Sequence, residues 1–425
     1  MNTCAIVGIN WGDEGKGRMV DYLAAQYDVV VRYQGGNNAG HTVINEYGKF
    51  ALNLLPSGIF RPETMNLLGV GTVVDPQHLT GEMARVREQG VQIGPDNLKI
   101  ADRAIIVFPF YPLQDQMEEA RLGSQKFGST RRGISPAYGD KYMKKAIQMG
   151  DLLHPQALEK HLRLLVDWKN AVFSKAYGQP PIQFDQVMQW LEQYAMPLKP
   201  YICDAGQLLK EALSQGKSIL FEAQLGALRD IEYGIYPYSS SSSPLAAYAP
   251  LGCGLPSIKV REVVGVAKAY STCVGEGPFV GELMDAKGDW LREAGGEYGA
   301  ATGRPRRVGW LDLVATRYGV QLQGATALAL TKLDVLTGLK EIPVCAHYRT
   351  AQGKVTDTFP FTPELYGCQP VYEVLPGWEE DISGVRRFQD LPKAAQDYVL
   401  YCQEKLGCPI KYVSVGADRE QLIIR

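Results

Sequence analysis

Seven short apolar runs recur along the chain: "CAIV" at 4–7, "DVVVRY" at 28–33, "MNLLGV" at 65–70, "SILFEA" at 218–223, "VVGVAKAY" at 263–270, "ALALTK" at 327–332 and "KYVSV" at 411–415. Continuous apolar runs of this length read as strands covered on both faces, the pattern of a parallel sheet. Stretches with helical spacing lie between several of them, among them Gly17 to Gln26, Gln77 to Gln89 and Trp310 to Gln321. The alternation predicts an α/β fold. From about Pro155 to Leu213 the pattern changes to helix formers with Leu, Val and Tyr at helical intervals, broken at "YGQPPIQ", which predicts a helical insertion.

The 425 residues, 45% of them apolar, suffice for a large core. A formal net charge of −2 gives no broad basic surface for nucleic acid. The eight cysteines are scattered, with no CxxC pair, and read as reduced thiols. The first residues have neither a basic start nor a long apolar stretch, and no later segment offers 18 apolar residues in a row. A soluble cytoplasmic protein, without membrane or nucleic-acid partners, is expected. The run "SSSSS" at 239–243 reads on composition as a floppy tip rather than as the lining of a polar pocket.

Four stretches carry chemistry. "GINWGDEGKG", Gly8 to Gly17, follows the first strand but fails the spacing G-x-x-x-x-G-K-[ST] at Asn10 and Gly17. Its acidic pair, Asp13-Glu14, is odd company for phosphates unless a metal or a proton transfer is involved. "YQGGNNAGHTV", Tyr33 to Val43, places His41 in a loop too polar and glycine-rich for a core, where it suits contact with a phosphate or a developing anion. "TKLD", Thr331 to Asp334, resembles the guanine-reading tetrapeptide N-K-x-D, whose aspartate accepts from N1–H and the 2-amino group. "YGAATGRPRRVGW", Tyr298 to Trp310, sets Arg304, Arg306 and Arg307 in one loop, as carboxylate or phosphate clamping would need.

Taken in order, "WGDEGKG", "QGGNNAGHTV", "LLPSGI", "PAYGDK", "KAYSTCVGEGPF", "TGRPRRVGWLDLVA", "LTKLDVLTGLKEI" and "SVGADRE" resemble the adenylosuccinate synthetase family, from Ala5 to the C-terminus. The resemblance implies one domain over 1–425, a mostly parallel central sheet flanked by helices with P-loop-like GTP binding, and a homodimer. It implies a GTP-dependent ligase that joins L-aspartate to IMP through a 6-phosphoryl intermediate. Asp13 and His41 would then be catalytic: Asp13 as base on the purine N1–H, His41 against charge on the β/γ bridge. Asp13 and the carbonyl of Gly40 would ligate Mg²⁺. Gly12, Gly15, Lys16, Gly17, Gly40, His41, Thr42 and Arg306 would meet the GTP phosphates, and Lys332, Leu333, Asp334, Ser414, Val415 and Gly416 the guanine. The acceptor nucleotide would meet Asp13, Asn38, Ala39, Thr130, Lys144, Leu225, Ser240 and Arg304; the amino acid would meet Ala300, Ala301, Thr302 and Arg304.

The acceptor side departs from the family pattern, whereas the GTP side does not. Arg131 and Ser135 stand where glycines are usual, Lys144 and Cys273 where arginines are, Ser240 and Ala301 where threonines are, and Val70 in place of an asparagine. Leu225 takes the place of a glutamine, with Gln224 one residue early. Two readings stay open: neutral divergence, with Gln224 reaching the reaction centre through a shifted loop, or a paralogue that activates a different purine nucleotide or uses another amine.

Overall fold

The computed structural model describes residues 2–299 and 303–425. The first strands are β1 (Thr3–Gly8), β2 (Val29–Arg32), a separate hairpin of β3 (His41–Asn45) and β4 (Gly48–Leu52), and β5 (Met65–Leu68). All seven apolar runs enter one sheet, in the order Leu422–Ile424, Ile410–Ser414, Ala327–Thr331, Glu262–Lys268, β1, Ile219–Gly226, β2, β5, Leu98–Ala101 and Ile202–Cys203. Each pairing is parallel except that of Leu422–Ile424. Parallel strands end on the same side, so the loops after β1, β2, Ile219–Gly226, Glu262–Lys268, Ala327–Thr331 and Ile410–Ser414 gather at one carboxyl edge.

Every residue of β1 is buried, which explains its unbroken apolar character. Its side chains alternate between faces. Cys4 and Ile6 pack with Met19, Val20 and Leu23 of α1 (Lys16–Leu23), whereas Ala5 and Val7 join the cluster on the other face. Helix α2 (Pro76–Glu88) starts on Asp75, whose carboxylate accepts from the His78 amide at 3.0 Å, with proline at the first helical position. Between 155 and 213 the chain forms helices Pro155–Tyr177, Phe184–Trp190 and Ala205–Ser214, and also the short strand Ile202–Cys203 at the outer edge of the sheet.

The serine run corrects the expectation of a floppy tip. Ser242 is buried and donates to Gln34 Oε1 at 2.9 Å; Ser241 donates to Ser135 at 2.8 Å, and Ser243 to Asp230. The hydroxyls find partners 13 to 208 residues away in sequence, a pairing that local composition does not display.

The end of β1 is closely packed against the neighbouring strand. A Cβ added to Gly8 would lie 2.3 Å from the Leu225 carbonyl oxygen and 2.6 Å from Glu14 Oε2. The obstructing backbone belongs to a strand that is itself in register with β1, so it has little room to yield. Gly8→Ala is therefore expected to lower the unfolding free energy by about 1–3 kcal/mol, read from urea denaturation.

Candidate active site

The loop after β1 is shaped by Glu14. Its carboxylate is buried, accepting the amides of Asn10 at 3.1 Å and Gly12 at 2.8 Å on Oε1, and Lys16 Nζ at 2.6 Å on Oε2. Folded back this way, the loop takes left-handed backbone at Gly12, Asp13 and Gly15 before entering α1. Asp13 is a non-glycine residue with φ +61, a conformation that costs energy and needs its surroundings to hold it. Two expected phosphate contacts are engaged within the loop instead: the Gly12 amide and the Lys16 ammonium both lie on Glu14.

His41 opens the hairpin at β3 and crosses the N-terminus of α1. The crossing requires glycine at 17, because a Cβ there would stand 2.8 Å from the His41 Cβ. Nδ1 of His41 lies 2.5 Å from Glu222 Oε1, and Glu222 in turn accepts the Ser57 amide and hydroxyl at 2.8 and 2.7 Å. Burial pulls the imidazole pKa below its usual value against the opposing pull of Glu222. Nε2 is buried and has no hydrogen-bond partner among the described residues. Glu222 thus fixes one ring nitrogen and aims the other. Sequence reasoning missed it, since an acidic residue within "SILFEA" gives no sign of its partner 181 residues earlier.

At the end of Ala327–Thr331 the tetrapeptide turns sharply, with Lys332 at φ +59. Asp334 Oδ1 is buried without a partner among the described residues, and burial raises its carboxyl above the usual range. Leu333 is buried beneath it. The facing loop, Ser414 to Gly416, is held by Arg18 of α1, which donates to Ser414 Oγ, to the Gly416 carbonyl at 2.6 Å and to the Asp418 carbonyl at 2.5 Å. Thr331 Oγ1 donates to the Glu14 carbonyl at 2.7 Å, fastening this corner to the first loop. Sequence reasoning missed Arg18 as well, because its partners are nearly 400 residues away.

Arg306 joins the two corners. One of its nitrogens is 2.9 Å from Asp13 Oδ2 and another 2.8 Å from Glu297 Oε2. Glu297 is fully buried and also receives Lys268, Tyr270 and Lys332. Arg307 turns away to Glu282, bonding at 2.8 Å through Nε. The phosphate side predicted from sequence is therefore brought together, with Thr42 lying exposed on the hairpin.

The acceptor side is more dispersed. Asn38 Oδ1 accepts Gln224 Nε2 at 2.8 Å, and Gln224 Oε1 accepts Arg32 at 2.5 Å. Gln224 is fully buried and runs directly over Gly35, with both ends of its amide taken up by Arg32 and Asn38. Leu225 takes a left-handed backbone, with its Cα 3.4 Å from the Cβ position of Gly12. The Ala39 carbonyl accepts Asn53 Nδ2, and the Ser240 amide donates to the Arg229 carbonyl at 2.8 Å. Cys273 Sγ accepts from Arg229 at 3.1 Å. Thr130, Arg131, Lys144 and Arg304 are exposed. Ala300, Ala301 and Thr302 lie outside the described residues.

Comparison with known proteins agrees along the whole chain. The family model described as adenylosuccinate synthetase matches residues 5–423. Adenylosuccinate synthetase of Caldanaerobacter subterraneus is 45% identical over 425 residues, covering 100% of this chain and 99% of that one. The enzyme of Pelotomaculum thermopropionicum is 47% identical with the same coverage. The fully ligated adenylosuccinate synthetase from Plasmodium falciparum superposes with a TM-score of 0.94 at 34% identity, covering 100% of both chains. Full-length likeness at this level does not favour the paralogue reading that the departures at Leu225, Lys144 and Cys273 had left open. The chain belongs to the adenylosuccinate synthetase family.

Proposed function

We propose that this GTP-dependent ligase forms adenylosuccinate from IMP and L-aspartate, with the residues of the carboxyl edge in the following roles. The observation that carries the assignment is a pair of buried atoms without partners among the described residues, His41 Nε2 and Asp334 Oδ1, on loops that flank Asp13. Asp334 accepts from the guanine, while the stem of Lys332 lies along the base and the Ser414 to Gly416 backbone closes the other side. Arg306 and the amides at the start of α1 meet the phosphates.

Asp13 takes the proton from N1 of IMP, so that electron density moves onto O6, which attacks the γ-phosphorus of GTP. The bond to the β/γ bridging oxygen breaks, and His41, with Nδ1–H held by Glu222, answers the charge arriving there as the imidazolium, whose Nε2–H donates to it; Glu222 and the incoming phosphates favour that proton against the pull of burial. The amino nitrogen of aspartate, as the free amine, then attacks C6, phosphate leaves, and the nitrogen's surplus proton passes to solvent. Asp13 must exchange its bond to Arg306 for the purine, and the arginine has the nucleotide's phosphate as its new partner.

Mg²⁺ fits the donor set, because the Asp13 carboxylate and the Gly40 carbonyl are hard oxygen ligands and a Cβ position at Gly40 meets nothing within 4 Å. Bound there with the GTP phosphates, it would neutralise their charge. The enzyme acts as a homodimer in this reading, supported by the exposure of Tyr142 (74%) and Met143 (50%) beside the exposed Lys144. Residues 1–425 work as one unit with 155–213 as scaffold. The free cysteines suit the reducing cytoplasm, and among the described residues no helix is long and apolar enough to cross a membrane.

A coupled assay with IMP, aspartate, GTP and Mg²⁺ is expected to show adenylosuccinate by its ultraviolet absorbance; absence of product at saturating substrate would sink the assignment. Asp13→Ala should reduce kcat by about 10²–10⁴-fold, the range for loss of a positioned base. Asp334→Asn should weaken GDP binding by about 1–3 kcal/mol in calorimetry while leaving the melting temperature close to that of the parent.

A further inference from the structure

Glu297 takes part in none of the steps above, yet it is fully buried and receives more donors than any chemistry at the site requires. Lys268 Nζ donates to both of its oxygens at 2.8 and 2.9 Å, Tyr270 donates at 2.5 Å, Arg306 Nη1 at 2.8 Å and Lys332 Nζ at 3.0 Å. Although burial pushes its carboxyl up, the ammonium groups of Lys268 and Lys332 bring it far below the usual range. It is an obligate anion at neutral pH. Burial lowers Lys268 to about 8, and Glu297 is the charge that opposes this fall.

Its position in the chain matters as much as its charge. The helix Ala286–Gly295 ends in a left-handed Gly296, and Glu297 follows directly. Its carbonyl accepts the Arg306 amide at 2.9 Å, and the Gly299 amide donates to the Arg304 carbonyl at 2.8 Å. Backbone and side chain together therefore close the stem of the arginine loop at Glu297. The same carboxylate reaches across to Lys332, whose ammonium also caps the last carbonyl of that helix, at Gly295. The ammonium is thus held on two acceptors, the Gly295 carbonyl and the Glu297 carboxylate.

We infer that Glu297 is a positioning residue that locks Lys332 on the guanine side to Arg306 on the phosphate side, so that base and phosphates of one nucleotide are read in a single fixed geometry. The inference rests on the guanine and phosphate assignments above and adds the element that ties them together. Without the carboxylate, Lys332, Lys268 and Arg306 repel one another and part. The nucleotide would then have to order them on binding, a cost that appears in its affinity.

Removing a buried carboxylate from among three cations endangers folding, so the test pairs each change at 297 with Lys268→Met, which takes away the buried lysine that is assigned no contact with the nucleotide. The proteins compared are the parent, Lys268→Met, Glu297→Ala/Lys268→Met and Glu297→Gln/Lys268→Met. GDP affinity is measured by calorimetry, KM by steady-state kinetics and the melting temperature by scanning. The alanine pair should bind GDP at least about tenfold more weakly than Lys268→Met and raise KM for GTP in step, whereas the glutamine pair, which keeps one acceptor oxygen, should recover part of the loss. Equal GDP affinity in Lys268→Met and the alanine pair, or a lowered melting temperature with affinity unchanged, would overturn the inference and leave Glu297 as scaffold. If the alanine pair does not fold, the glutamine pair decides by the same comparison. A parent that binds no GDP would overturn the guanine assignment itself, and this inference with it.

Discussion

Everything at the carboxyl edge depends on the carboxylate of Glu14. An acidic side chain turned inward beside a phosphate-binding helix is costly unless it is fully paired, and here two amides and one ammonium satisfy it within seven residues of chain. That pairing draws the loop closed and sets Asp13 in a backbone conformation it would not choose alone. The two acidic neighbours consequently divide their work. Glu14 spends its charge inside the protein on architecture, and Asp13, part-exposed, turns its charge outward to Arg306.

The same division recurs around the site. His41, the Asp13 loop and Arg306 are each held by a buried carboxylate: Glu222 on His41, Glu14 in the Asp13 loop, and Glu297 on Arg306. All three carboxylates are at most 2% exposed. Such supports hold orientation in place before any substrate arrives, which is how preorganised polar groups contribute to a reaction.

The fold was legible because parallel strands buried on both faces leave continuous apolar runs, and each such run found its place in the sheet. The candidate site residues stood out where their types were unusual for their surroundings: Asp13 in a glycine loop, His41 among amides, Asp334 at a strand end. Glu14 was visible only as an oddity, and Glu222, Glu297 and Arg18 not at all. Their partners come from distant strands, and a buried glutamate looks the same in sequence as one on a solvated face. The serine run failed for the opposite reason, since composition suggested mobility while Gln34, Ser135 and Asp230 supply it with partners. Gln224 shows the limit of matching motifs by residue type: the amide stands one position early, and its hydrogen bonds go to Arg32 and Asn38.

Gly17 explains why the first loop departs from the common phosphate-loop spacing. Where that spacing places serine or threonine, whose hydroxyl holds a cation, this chain has a residue without a side chain, and the backbone of His41 passes through the space. A hydroxyl at 17 and a histidine at 41 compete for the same volume. With the hairpin where it is, the chain cannot carry that hydroxyl. Among its relatives, a side chain at 17 should appear only where the hairpin that begins at 41 has moved or been lost.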